Sequence, residues 1–285
     1  MTISFINIRG QEAIITSKAP FLLGSFDGYG EIAADIQTQS APHQDGSMYI
    51  DSLLEERPLN ITFNILADDS LDLSAKRRFI SSVFNPKNGL GILRHEKNGI
   101  IYEIDAIAES VPQYPSGTDN RGLTHQRVVV NLIAPNPYWR SLHQESKPLH
   151  SYVGNFKLPM TFPFMLGTSG SKTTLYNDGD ATAPIEIEIH GPTTNPQIFN
   201  RTTGESLRIN RTISEGEILY IDTTPGQKRV EILSGGVYVQ AFGFLDHDST
   251  LFQLDFGENE IEHVADAGNR HAQVIVRWQS RYVGI

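Results

Sequence analysis

Two short clusters in this sequence place carboxylates close enough to interest a cation. In Asp246-His247-Asp248 the two aspartates are two residues apart, and on a strand they would share a face. The turn preference of Asp favours a solvated bend before the next strand. Asp68-Asp69-Ser70-Leu71-Asp72 is loosely like a calcium-binding loop, but it lacks the bend glycine and terminal glutamate of that motif. It reads better as a turn followed by a helix cap. His43-Gln44-Asp45-Gly46 and His125 supply imidazoles without a paired carboxylate to orient them. There is no nucleophile elbow, no glycine-rich phosphate loop after a strand and no helix with paired zinc-binding histidines. The expectation is a protein that is not an enzyme and that takes no catalytic residue, metal or cofactor. A subtler chemistry is sugar stacking on exposed rings, for which Tyr176, Phe199, Tyr220, Tyr238, Phe242 and Phe244 are the candidates. Phe242 and Phe244, two apart, are expected to bury in a sandwich core instead.

The elements that must position these residues are mostly strands. Leu59, Ile61, Phe63 and Ile65 alternate with smaller or polar residues, as do Ile100, Tyr102, Ile104 and Ala106. Ile185-Glu186-Ile187-Glu188-Ile189-His190 puts isoleucine on one face and charge on the other. Ile218 to Ile221, Val230 to Leu233, Leu251 to Phe256 and Gln273 to Trp278 continue the pattern. Asn88-Gly89 and Asn98-Gly99 suit tight turns. One helix is predicted, with Ala75, Phe79, Ile80, Val83 and Phe84 on its apolar stripe, Asp72 or Ser74 as its cap and Asn85-Pro86 as its stop. Lys76, Arg77 and Arg78 would then crowd its positive end, so a tertiary or subunit partner is expected to neutralise them.

The chain has 285 residues, enough for two domains. The boundary is expected at Ala134-Pro135-Asn136-Pro137-Tyr138-Trp139, giving domains 1–138 and 139–285, with Pro135, Pro137, Tyr138 and Trp139 anchoring the connection. The stretch from His150 to Lys172 is irregular and too short for an inserted domain. The net charge of −10 is shared evenly by the two halves, which disfavours sequence-specific nucleic-acid binding. With no cysteine, disulfides and thiolate sites are excluded. The most apolar run, Leu158 to Leu166, is broken by Pro159 and Pro163, so no membrane insertion is expected. The start of the chain lacks signal-peptide character, pointing to synthesis in a cytoplasm.

Two stretches resemble a known family. The first, Leu23 to Trp139, holds Asp27-Gly28-Tyr29-Gly30, then Ala41-Pro42-His43-Gln44-Asp45-Gly46-Ser47-Met48-Tyr49-Ile50-Asp51-Ser52-Leu53-Leu54-Glu55-Glu56-Arg57, and closes on Asn131-Leu132-Ile133-Ala134-Pro135-Asn136-Pro137-Tyr138-Trp139. The second holds Asn177-Asp178-Gly179-Asp180, Pro184-Ile185-Glu186-Ile187, Gly191, Asn195-Pro196, Asn200-Arg201-Thr202-Thr203-Gly204-Glu205, Ile221-Asp222-Thr223 and Gly257-Glu258-Asn259. In order and spacing they are similar to the distal tail proteins of siphophages, particularly those infecting Gram-positive hosts.

The resemblance implies a mainly β chain. Its first domain would be a tail-tube-like sandwich or split barrel with one helix and an extended β-hairpin, and its second a galectin-like β-sandwich. It also implies a homo-hexameric ring at the distal end of the tail in the virion. That ring would join the tail-tube protein to the tail-associated hub protein, let DNA pass and, in some phages, carry a receptor-binding protein. The hairpin reaching the neighbouring subunit is expected between Asp27 and Arg57, with Gln37, Thr38, His43, Gln44 and Met48 as its contact residues. The alternative function is a carbohydrate-binding module that contacts host cell-wall polysaccharide through the second domain.

Overall fold

The computed structural model describes residues 1–142, 144–149, 171–268 and 272–285. The Leu158 to Leu166 run, and all of the His150 to Lys172 stretch before Ser171, lie outside them. Among the described residues the chain is mainly β with one α-helix, and it divides into two compact units.

The first unit comprises Met1–Leu142 and Tyr282–Ile285. The division thus falls after Leu142, and not after Tyr138. The cause is local: Trp139–Ser141 is a strand that pairs into the first sheet, with Arg140 opposite Glu103. The order across that sheet is Glu12–Ile15, Thr2–Ile6, Gly91–Lys97, Ile100–Ala108, His125–Ala134, Arg57–Leu66 and Phe21–Asp27. Its two ends meet, since Thr16 N–H donates to Phe21 O and Leu23 N–H to Thr16 O. This closes a split barrel and removes an open edge. The period-two residues fill the inside: Leu59, Ile61 and Phe63 face Leu132, Val130 and Val128 across the strand pair, all buried. Asn98 and Gly99 both take positive φ in the two-residue turn between Lys97 and Ile100, as a type I′ hairpin requires. Asn88 and Gly89 instead end a 3₁₀ turn over Pro86–Asn88, where Asn88 Nδ2 donates to Ser82 O.

The helix runs over Ser70–Val83 and starts earlier than its apolar spacing suggests. Asp69 is the cap, its Oδ1 accepting from Leu71 N–H and Asp72 N–H. The Asp68 to Asp72 cluster is therefore a turn and cap. The buried stripe is Leu73, Ile80, Val83 and Phe84, while Ala75 is exposed. The three basic residues consequently sit beyond the first turn, in the second and third. Lys76 pairs with Asp72 at 2.5 Å on the same helix, and the Arg77 guanidinium lies over the Tyr114 ring at 4.6 Å, so Lys76 needs no distant partner.

The second unit, His143–Arg281, is a galectin-like sandwich. One sheet orders Glu145–Leu149, Gln273–Trp278, Ala183–His190, Ile218–Asp222, Arg229–Ser234 and Val237–Gln240. The other orders Ser171–Asn177, Gly257–Val264, Gln197–Asn200 and Ser206–Arg208. Ile185, Ile187 and Ile189 point inward with Val274, Val276, Leu219 and Ile221, and the second sheet contributes Leu175, Ile198, Leu207 and Ile261. Of the expected Leu251 to Phe256 strand only Gln253–Leu254 pairs.

His263 sits in this core, 1% exposed, with no hydrogen-bond partner at Nε2. Burial pushes its pKa down to about 4. An unfolded histidine titrates near 6.5, so between the two values only the unfolded chain binds the proton. Stability from this group is full above about pH 6.5 and is lost as pH falls towards 4, by about 3 kcal/mol in total. Urea unfolding at pH 7 and pH 4.5 should show that loss in the native chain and a smaller one in His263→Leu. An equal loss in both would contradict the assignment.

Candidate assembly interface

The first unit projects one element that its own core does not cover. Among the described residues Ala34–Gln39 and Met48–Leu54 pair only with each other, and apart from the half-buried Leu54 at its root every residue of the two strands is exposed. Ile36, Met48, Tyr49, Ile50 and Leu53 are large apolar side chains held in solvent, with Met48 64% and Tyr49 61% exposed. Both outer edges of the ribbon lack a strand neighbour among the described residues. Such a ribbon is marginal alone, and its open edges are templates for another strand. The register pairs Gln39 with Met48, Thr38 with Tyr49, Gln37 with Asp51 and Asp35 with Leu53, with a bulge at Ile50. Gln37, Gln39, Met48, Asp51 and Leu53 therefore share one face, and Thr38 and Tyr49 the other. His43 and Gln44 lie in the tip loop, where His43 adopts φ 62° and Gln44 N–H donates to Ala41 O. Thus Gln37, Thr38, His43, Gln44 and Met48 all lie on this ribbon and its tip.

The root is fixed by Arg57, whose part in it no sequence pattern reveals. Arg57 is 0% exposed although it follows Glu55-Glu56. Its Nε donates to Pro137 O at 2.7 Å, Nη1 to Gly28 O at 3.1 Å and Nη2 to Val283 O. Burial lowers its pKa, yet an arginine this basic stays charged, and it is carried here by carbonyl dipoles. Gly28 O accepts a second bond from Trp139 Nε1 at 3.2 Å. Gly28 has φ 128°, and a Cβ there would lie 2.3 Å from Leu59 Cδ2, so the Asp27-Gly28-Tyr29-Gly30 motif needs its first glycine. One guanidinium thus ties together the start of the hairpin excursion, the Pro137 segment and the returning C-terminal residues. Ile285 N–H adds a bond to Tyr29 O at 3.0 Å.

Of the expected linker anchors, Trp139 is buried in the first unit against Phe26 and His95, Pro137 and Tyr138 are half-buried, and Pro135 is exposed. Beside them, Tyr29, His95, Lys97, Ile100, Tyr102 and Ile285 surround a cavity of about 410 Å³.

The sequences of both units match known family models in chain order. Residues 8–122 match the phage tail protein RIFT-related domain. Residues 178–282 match the siphovirus-type tail component, C-terminal domain. The chain belongs to the siphophage distal tail protein family. It is a structural component of a phage tail. Among solved structures, the Dit protein of phage SPP1, described as a paradigm of hub adsorption apparatus in phages infecting Gram-positive hosts, superposes with a TM-score of 0.70 at 12% identity over 99% of both chains. A chain of the phage p2 baseplate, in its activated conformation with calcium, gives 0.54 at 8% identity over 100% of this chain and 99% of that one. The strontium form gives 0.51 at 9% identity over 97% of each. No curated protein matches by sequence.

The other residues singled out from the sequence of this distal tail protein are dispersed. Asp246 accepts from Asn210 Nδ2 and from Asp248 N–H, an Asx turn. Among the described residues no three His, Cys, Asp or Glu side chains gather as metal ligands. Phe242 and Phe244 are not core residues. Gly243 separates them in a 3₁₀ turn, and each is more than a third exposed. Arginines lie over the Phe199, Tyr220 and Phe244 rings, each covering one ring face. Tyr176 and Tyr238 are exposed.

Proposed function

We propose that this chain forms a hexameric ring at the distal end of the tail, in which the Ala34–Leu54 hairpin of each subunit lies on its neighbour. The ring joins the tail-tube protein to the hub protein below and leaves a passage for DNA. The observation that carries this reading is the hairpin itself, a two-stranded ribbon rich in exposed apolar side chains, paired among the described residues only with itself and anchored at its root by a buried arginine. A neighbour that covers it buries that apolar surface and gains main-chain hydrogen bonds. Heterologous contacts of one kind close into a ring by rotation. The net charge of −10 suits a channel that must not grip phosphate.

Removing Gln37 to Met48, with a short turn joining the stubs, should leave the barrel folded and abolish the ring. Light scattering and circular dichroism on the same sample separate the two effects. A deleted chain that assembles like the native one would place the subunit contact elsewhere.

A further inference from the structure

We propose that the cavity at the hairpin root receives Met48 from the hairpin tip of a second copy of this chain; this rests on the ring reading above and names its contact. The two ends of one element are complementary. The tip presents Met48 on the same face as Asp51, and the 34–54 segment carries three aspartates with no lysine or arginine. The root presents a cavity of about 410 Å³ walled by Tyr29, Tyr102, Ile100 and Ile285, with Lys97 at its border. That volume is more than ten times a water molecule's ~30 Å³ share, so it admits a whole side chain. Methionine suits it, since an unbranched thioether fills irregular space and packs well on aromatic edges.

His95 adds another ring to the lining: it is 4% exposed, its two nitrogens are shielded, and Tyr29 packs on it edge to face at 5.1 Å. With Met48 seated, the Asp51 carboxylate on the same face meets the Lys97 ammonium. A strand of six residues, Ala34–Gln39, spans about 20 Å, so tip and root are well separated. Tip-to-root docking therefore runs head to tail from copy to copy, as a ring requires.

The chain has no cysteine, so engineered pairs report without background. The test is Met48→Cys with Ile100→Cys, oxidised in the assembled full chain and read on a non-reducing gel. Met48→Cys paired with Leu123→Cys, at an exposed site outside the cavity, is the control. A ladder of covalent oligomers from the first pair alone is expected. Lys97→Glu should lower the assembled fraction at least tenfold, and Asp51→Lys should restore it. An intact ring with no ladder and no charge rescue overturns the Met48 contact and leaves the ring reading standing. Failure of the native chain to form a ring under any condition overturns both.

Discussion

Arg57→Met should lower the stability of the first unit by about 4 kcal/mol. The native side chain gives three charge-assisted hydrogen bonds to the carbonyls of Gly28, Pro137 and Val283. Each such bond contributes on the order of 1.5–3 kcal/mol, and relief of the guanidinium's own burial cost offsets part of their sum. Gly28 O keeps Trp139 Nε1, so the loss falls mainly on the bonds to Pro137 O and Val283 O. Methionine fills much of the volume, which confines the loss to the polar contacts. Thermal unfolding should shift down by roughly 10 °C. Arg57→Lys keeps the charge but not the fork that spans three acceptors, so it should recover only part of the loss. The hairpin root should also become cleavable by protease at Glu55-Glu56 in the folded protein. A melting temperature within two degrees or so of native in Arg57→Met would mean that the root is held by other contacts.

Gly179→Ala is the second large effect, now in the sandwich. A Cβ at Gly179 would lie 2.2 Å from Arg281 O and 2.7 Å from Arg281 N, both backbone atoms that cannot rotate away. The turn is fixed on every side. Asn177 Oδ1 accepts from Gly179 N–H, Asn177 Nδ2 donates to Ala181 O, Asp178 N–H donates to Ser280 Oγ, and Asp180 N–H donates to Arg281 O. Overpacking against backbone costs about 3 kcal/mol or more. Gly204, where nothing lies within 4 Å of an added Cβ but φ is 80°, is the contrast, with a cost of about 1–2 kcal/mol from backbone strain alone. Unfolding followed in denaturant should rank Gly179→Ala well below Gly204→Ala. The reverse order would mean that the Asn177–Ala181 turn moves freely.

The strands were legible because their faces are sharply different. Ile185-Glu186-Ile187-Glu188-Ile189 has one dry side and one wet side, and the barrel strand at Leu59–Ile65 behaves the same way. The turn at Asn98-Gly99 was legible because two consecutive positive φ values select those residues. Helix position was less so. Asp69 and Leu73 extend the helix towards its start, and only the fold tells Leu73 from Ala75 as the buried member. Phe242 and Phe244 misled because period two identifies a face only if the backbone is extended, and Gly243 lets it turn.

The hairpin could be placed between Asp27 and Arg57 by family resemblance and not by pattern, since with both faces exposed it has no dry side to reveal it. The buried role of Arg57 was invisible for a physical reason. A charged residue after two glutamates reads as solvated, and only the meeting of Gly28, Pro137 and Val283 supplies the carbonyls that bury it. The cavity at the root shares that origin, because Tyr29, His95, Tyr102 and Ile285 are far apart in sequence.

The most direct test of the central claim is negative-stain microscopy of the purified full chain at high concentration, with mass by light scattering on the same sample. Closed rings with six-fold symmetry are expected, six times the 31.7 kDa chain mass for a single ring. A chain that stays monomeric at every concentration, even with the tube and hub proteins added, would contradict that claim.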